Sequence, residues 1–301
     1  MLIQWFPGHM TKARMMIAEN IKAVDAVCEI IDARIPYSSR NPDLDEMTGR
    51  KPRLLILNRV DQADPEATKQ WRVRFCNDGA AVLETDSKSG KGIGGFPSAV
   101  RALLAERIAY YASRGQKGRQ LRLMVVGIPN VGKSSFINRI AKRKAAATSD
   151  KPGVTRGKQW INVDGGIELL DTPGILWPRF EDQFVAENLA FTGAIRDDVV
   201  DTETLGANLM ARMAEYYPQR IAERYKVDTI TGEAGFRLLA QAAKNRGFLI
   251  SGGHYDLSRM AIVLLDEFRG GKLGRVTLER TALQRTGNSG QRTEDSGSLG
   301  F

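Results

Sequence analysis

Apolar positions in the first half of the chain fall in short, unbroken runs. AVCEIID (26–32), RLLILN (53–58), AAVLET (80–85) and LRLMVVG (121–127) are each followed by polar or turn residues. Runs of this length predict strands buried on both faces. Between them the spacing turns helical. TKARMMIAENIKA (11–23) sets Met15, Met16 and Ile17 to one side, Phe96–Tyr111 predicts one amphipathic helix, and another runs from about Lys133 to Lys144. KQWINV (158–163) and GIELLD (166–171) predict two more strands. Six strands alternating with helices specify an α/β fold, a mostly parallel sheet with helices on both faces.

From about Glu181 the period is helical throughout, in DQFVAENLAFTGAI, ETLGANLMARMAEYY, GEAGFRLLAQAAKNRGF and HYDLSRMAIVLLDEFRGG. This predicts a small all-α domain over 181–284 after a sheet domain over 1–180, whose residues 1–23 form a helix-containing extension. GRVTLE (274–279) predicts one short strand. The tail 285–301 is polar and Gly/Ser-rich, the composition of disorder. SRGQKGRQ (113–120) reads as a linker inside the first domain.

Charge sharpens this division. The net charge is +9. Residues 1–183 hold 29 Lys/Arg against 20 Asp/Glu and residues 184–301 hold 15 against 15, so the surplus lies in the first part and points to a polyanionic partner. Within the balanced part, 237–275 carries seven basic and three acidic residues, a possible nucleic-acid face. The two cysteines, Cys28 and Cys76, are too few for a disulfide framework or a zinc site, and Cys28 in AVCEII reads as a buried thiol. No apolar run approaches 18 residues, so no membrane association is expected, and a cytoplasmic setting follows.

The chemistry begins at Gly127-Ile128-Pro129-Asn130-Val131-Gly132-Lys133-Ser134-Ser135, which matches G-x-x-x-x-G-K-[ST] between a predicted strand and a predicted helix. Backbone N–H groups of Val131, Gly132 and the helix start are expected to face phosphates. Lys133 supplies charge to the β/γ oxygens and Ser134 a hydroxyl for Mg²⁺. Asp171-Thr172-Pro173-Gly174 follows a strand about forty residues later. A carboxylate there can hold Mg²⁺ through water, and the Gly174 N–H can meet a γ-phosphate. PGVTRG (152–157) lies between, and Thr155, with Thr148 as the alternative, is expected to close on Mg²⁺ when that phosphate is present.

Asn58-Arg59-Val60-Asp61 ends an earlier strand and resembles Asn-Lys-x-Asp, the guanine-reading signature of GTPases. Asp61 can accept from both N1–H and N2–H₂ of guanine, a donor pair adenine lacks. Asn58 is expected to tie this loop to the phosphate loop, and Arg59 to lie flat over the purine. Thr85-Asp86-Ser87-Lys88, after the next strand, resembles the Ser-Ala-Lys loop whose backbone meets the guanine O6. The guanine reader starts 69 residues before the phosphate loop, the reverse of the ordinary order. A circular permutation restores the order, with 113–120 joining the old termini, and leaves every sheet neighbour in place.

With these motifs the chain resembles the circularly permuted GTPases of the YlqF type, the ribosome biogenesis GTPase A family. The resemblance runs through QWFPGHMTKA (4–13), DARIPYSSRNP (32–42), NRVD, GIPNVGKSS, PGVTRG, DTPGI and LAFTGAIRDD (189–198). It implies a circularly permuted P-loop GTPase that binds GTP and GDP. It also implies action on the precursor of the large ribosomal subunit, with the C-terminal helices on its rRNA, and a monomer is expected. Ile175 stands where a water-orienting Gln is usual, so hydrolysis is expected to be slow without help. By resemblance Asn130 holds a K⁺ ion, though it also suits a turn. By resemblance His9 positions the catalytic water, though an RNA or packing contact suits it equally. Two further readings stay open at this point: a tRNA-linked GTPase, and an RNA-binding scaffold that senses GTP without hydrolysing it.

Overall fold

The structure, a computed structural model, describes residues 3, 8–147, 160–177, 180–228 and 235–281. Helix α1 (His9–Asn20) leads into β1 (Ala26–Asp32), then α2 (Asp43–Thr48), β2 (Arg53–Asn58), α3 (Pro65–Asn77) and β3 (Ala81–Glu84). Helices α4 (Phe96–Leu103) and α5 (Ala105–Ser113) precede β4 (Leu121–Gly127), α6 (Lys133–Ala147), β5 (Trp160–Val163) and β6 (Ile167–Asp171). Helices α7 (Gln183–Phe191), α8 (Thr202–Tyr216), α9 (Pro218–Tyr225), α10 (Gly235–Asn245) and α11 (Leu257–Arg269) complete the described elements.

The six strands form one sheet in the order β3-β2-β1-β4-β6-β5. All neighbours are parallel except the β5/β6 hairpin. Strand β1 lies at the centre and is buried along its whole length, as a strand covered on both faces must be. The chain moves outward from β1 to β2 and β3, then returns to the other side of β1 as β4. The reversal point is therefore the β1/β4 boundary, where a parallel sheet opens a crevice at its carboxyl edge. Register sets Asp32 beside Asn58 and Ile30 beside Gly127, so the ends of β2 and β4 reach that edge with only β1 between them.

Local chemistry explains several boundaries. Asp64 caps α3 by accepting from the N–H groups of Glu66 and Ala67, and Pro65 occupies the first turn. Such a cap contributes about 1 kcal/mol. Phe96 and Phe136 meet edge to face at 5.4 Å and pin α4 to α6 across the core. In the helical part α8 packs against α10 and α11. Gly206 permits the α8/α11 approach, since a Cβ there would stand 2.4 Å from the Ala261 Cβ.

Two expectations need correction. Phe96–Tyr111 is not one helix: Leu104, at φ −105° and ψ 20°, breaks it in two. The break keeps Leu104 in the core and turns α5 so that the Tyr111 hydroxyl meets Asp25 at 2.8 Å. GRVTLE is not a strand. It bends at Arg275 and Leu278 as it passes loops of the sheet half, bonding single carbonyls of Gln62 and Arg34 rather than a strand edge. Helix α9, started by Pro218, was not expected as a separate element. Cys28 is fully buried, as its surroundings implied.

Candidate functional site

Asn58 is the junction of the crevice. Its Nδ2 donates to the Val131 carbonyl at 2.9 Å. Its Oδ1 accepts from the Ser87 N–H at 3.1 Å, the Ser87 hydroxyl at 2.7 Å and the Thr85 hydroxyl at 3.2 Å. One buried side chain thus joins the loops that follow β2, β3 and β4. Gly132 is required beside it, with φ +95° and space for no Cβ: one would stand 2.4 Å from the Asn58 amide nitrogen.

Arg59 sits in the left-handed region at φ 62°. Its Nη2 donates to the Asn130 carbonyl at 2.8 Å, and its Nε lies 3.6 Å from the buried Asp32 carboxylate. The guanidinium therefore bridges the loop after β2 to the phosphate loop. Asp32 in turn is paired with Arg34 at 2.7 Å. Burial pushes the Asp32 carboxyl up, but the charges and hydrogen bonds of Arg34, with Arg59, outweigh it and hold it below the usual range.

Asp61 is exposed and faces a cavity of about 420 Å³ shared with Asn58, Arg59, Ser87, Lys88 and Gly132. The loop carrying Ser87 and Lys88 is set by Asp86, which accepts from the backbone N–H groups of Lys88 and Ser89. Burial raises the Asp86 carboxyl, and the Ser89 and Lys88 hydrogen bonds pull it net below its ordinary value. Arg139 closes the far side by donating to the carbonyls of Lys88 and Ser89. Sequence reasoning missed Arg139, whose only signal was its place on the helix after the phosphate loop.

A second cavity of about 520 Å³ shares Arg59, Gly132 and Ser135 with the first and is lined by Asn130, Lys133, Ser134, Pro173 and Gly174. Lys133 Nζ lies 3.3 Å from Asp171 Oδ1. The Thr172 hydroxyl is tied to the Val125 carbonyl at 2.7 Å, and the Ile175 N–H to the Gly127 carbonyl at 3.1 Å. Gly174 is pressed on the phosphate loop: a Cβ would stand 2.9 Å from both N and Cα of Pro129. Ile175 points inward and is fully buried beside Met124, Val126 and Leu170. Asn130, also left-handed at φ 59°, donates from Nδ2 to the Gly193 carbonyl at 2.5 Å. Thr155 and its alternative Thr148 lie outside the described residues, as does the His9 side chain, although His9 opens α1.

A family model described as 50S ribosome-binding GTPase matches residues 122–217. A ribosome biogenesis GTPase A of Bacillus cereus is 45% identical over 279 residues, covering 93% of this chain and 94% of that protein. Its counterpart from Priestia megaterium is 44% identical over 280 residues, covering 93% and 97%. Among solved structures, a GNP-bound YlqF from T. maritima superposes with a TM-score of 0.61 at 26% identity, covering 89% of this chain and 98% of that one.

Sheet order, phosphate loop and the guanine-reader loop that precedes it in the chain define a circularly permuted P-loop GTPase. Its relatives match it along nearly their whole length. The chain belongs to the ribosome biogenesis GTPase A family.

Proposed function

We propose that this GTPase acts in assembly of the large ribosomal subunit, binding the subunit precursor through rRNA in a nucleotide-dependent way. The observation that carries the nucleotide half of this reading is the Asn58 junction, which brings Asp61, Ser87, Lys88 and the phosphate loop to one crevice. The names of the relatives supply the ribosomal half.

In this reading Asp61 accepts from the guanine edge and the Ser87–Lys88 backbone meets O6. Arg59 holds the reader loop against the phosphate loop. The N–H groups of Val131, Gly132, Lys133, Ser134 and Ser135 cradle the phosphates, and the Lys133 ammonium turns from Asp171 to the β/γ oxygens. Gly174 brings its N–H to the γ-phosphate. The Ser134 hydroxyl on the cavity wall and the Asp171 carboxylate, which reaches the site through Lys133 at 3.3 Å, are hard oxygen donors that suit Mg²⁺, with Thr155 as the further ligand. Bound there, Mg²⁺ neutralises charge on the phosphate oxygens.

The buried Ile175 takes no part in orienting water, so that task falls to another group, His9 or one brought by the ribosomal particle. Asn130 spends its amide nitrogen on Gly193, which leaves its Oδ1 as the oxygen donor for K⁺. Basic exposed residues at 114–122, with Tyr110 beside Arg114, and those of 237–275 supply phosphate contacts. We place the division between nucleotide and helical domains near residue 180, and take the protein as a cytoplasmic monomer.

The test is multiple-turnover phosphate release with and without large-subunit precursor particles, in KCl and in NaCl. Slow release alone, accelerated by the particles and faster in KCl, is the expected result. Absence of acceleration by the particles in either salt counts against the ribosomal reading.

A further inference from the structure

The turn that carries Asp61 is held by residues more than 200 positions later in the chain. Arg275 Nη2 donates to the Val60 carbonyl at 2.9 Å and its Nε to the Ala63 carbonyl at 2.9 Å. The Val276 N–H donates to the Gln62 carbonyl at 2.8 Å. The Thr277 hydroxyl accepts from the Asp64 N–H at 3.2 Å, and the Thr277 N–H donates to Tyr217 Oη, which also lies 3.0 Å from the Asp64 carboxylate. Carbonyls on both sides of Asp61 are thereby fixed, while the Asp61 side chain itself stays exposed in the crevice.

The far end of this segment is anchored deeply. Glu279 is buried, and its carboxylate accepts from the N–H groups of Tyr37 and Ser38 at 2.6 and 3.0 Å and from Asn188 Nδ2 at 3.0 Å. Its carbonyl accepts from Trp71 Nε1 at 3.2 Å. Val276, Thr277, Leu278 and Glu279 are all buried, whereas Arg275 is exposed. A rigid anchor thus ends in one accessible guanidinium bonded to the guanine-reader turn.

The turn needs outside support for a physical reason. It leaves β2 through Arg59 in a left-handed conformation, and its own backbone bonds are a Gln62 N–H to Arg59 carbonyl bond at 2.9 Å and a longer Val60 N–H to Thr85 carbonyl bond at 3.3 Å. A carboxylate reads two donors of a base edge only if its position is set to a fraction of an ångström.

We propose that Arg275 is a positioning residue for guanine recognition: by holding the Val60 and Ala63 carbonyls it sets where the Asp61 carboxylate meets the base. The role rests on the assignment of Asp61 to guanine made above. It makes base selectivity depend on the segment that follows the last helix, so the helical part contributes to the nucleotide site without touching nucleotide.

The test compares equilibrium binding of GDP and of IDP, whose base lacks the 2-amino group, to the full chain. Wild type is expected to prefer GDP. In Arg275→Ala the GDP-over-IDP ratio should fall about tenfold, with IDP affinity changed less than about threefold, since a misplaced Asp61 loses the second hydrogen bond. Arg275→Lys, whose single ammonium nitrogen replaces the two separate nitrogens that reach Val60 and Ala63, should lie between, and it carries the test if the alanine variant proves unstable on thermal melting. Equal losses for GDP and IDP would show general loosening of the loop and overturn the proposal, as would an unchanged ratio. A wild type that binds GDP and IDP alike would remove the Asp61 assignment itself, and with it the role of Arg275.

Discussion

The side-chain amide of Asn130 donates to the carbonyl of Gly193 at 2.5 Å, bonding the phosphate loop to the turn that ends α7. Arg269, at the end of α11, braces the same turn through the carbonyls of Ala190 and Phe191. The phosphate loop and the helical part are therefore joined directly by side-chain hydrogen bonds. Asn130→Gly tolerates the left-handed backbone and removes only the amide. The KCl-to-NaCl ratio of phosphate-release rates should fall to near one in this variant, and GDP affinity should drop by less than about tenfold, the worth of one hydrogen bond. A retained potassium preference would exclude Asn130 as the cation ligand.

Gly132→Ala is expected to abolish tight nucleotide binding. A Cβ at φ +95° is strained, and it would displace the Asn58 amide that joins three loops. Strain and the lost bond together cost about 3 kcal/mol, roughly a hundredfold in affinity. Titration with a fluorescent GDP analogue measures it, and affinity within threefold of wild type would mean that the Asn58 junction does not govern the site.

Gly174→Ala should separate hydrolysis from binding. The added methyl meets the Pro129 backbone at 2.9 Å and drives the Asp171–Gly174 segment away from the phosphate loop. GDP binding should persist, because the guanine and β-phosphate contacts lie elsewhere. GTP turnover should fall at least about tenfold, from loss of the Gly174 N–H that we propose meets the γ-phosphate. Equal losses in GDP binding and turnover would contradict this division of labour.

In the structure the Arg59 guanidinium bridges Asp32 and the Asn130 carbonyl, and we propose that this bridge, rather than stacking over the base, is its role. A lysine cannot span both partners. Arg59→Lys should therefore weaken GDP and ADP to a similar degree, about threefold to tenfold, and leave the preference for guanine unchanged. A selective loss of guanine preference, measured by competition between GTP and ATP, would restore the stacking role.

Acid should loosen the helical part through Glu267. Burial alone would raise its carboxyl, but hydrogen bonds from Arg224 and Tyr225 and the charges of Arg246 and Arg224 bring it down to about 2. A carboxylate lowered in the folded state stabilises the fold above its unfolded pKa and loses that contribution as pH falls from about 5 towards 2. Glu267→Gln should flatten the dependence of melting temperature on pH in that window. It should also destabilise the neutral protein by on the order of 1 kcal/mol, because Arg224 and Arg246, both partly exposed, lose a charged partner but keep a hydrogen-bond acceptor. Unaltered acid sensitivity would place the titration elsewhere.

Much of this protein was legible along the chain because it rests on local chemistry. Unbroken apolar runs mark strands covered on both faces, and all six are present. GIPNVGKSS between a strand and a helix marks a phosphate loop by itself, because loop glycines and a helix N-terminus need no distant partner. The reversed order of NRVD and GIPNVGKSS was likewise visible, and the sheet order explains it: β1 carries β2 on one side and β4 on the other, so chain order is free to change.

Other features had no local signal. The break at Leu104 depends on a core that must take that side chain and on Asp25, more than 80 residues away, which receives Tyr111. GRVTLE has the alternation of a strand, yet its backbone N–H groups meet the carbonyls of Gln62 and Arg34 in the loops after β2 and β1, so it bonds to turns instead. Arg139 and Arg275 are ordinary basic residues in the sequence; only their reach to the carbonyls of Lys88, Val60 and Ala63 distinguishes them.

The sequence by itself determined the six strands, the phosphate loop and the order of the motifs, since each strand and each motif is written in residues within a few positions of one another. The tertiary structure alone decided which long-range bonds hold the loops at their working positions: Asn58 to Val131, Asn130 to Gly193, Arg275 to the Asp61 turn. Such bonds join groups 63 to 215 residues apart. Their donors and carbonyls are of kinds found throughout the chain, so only packing selects which of them meet.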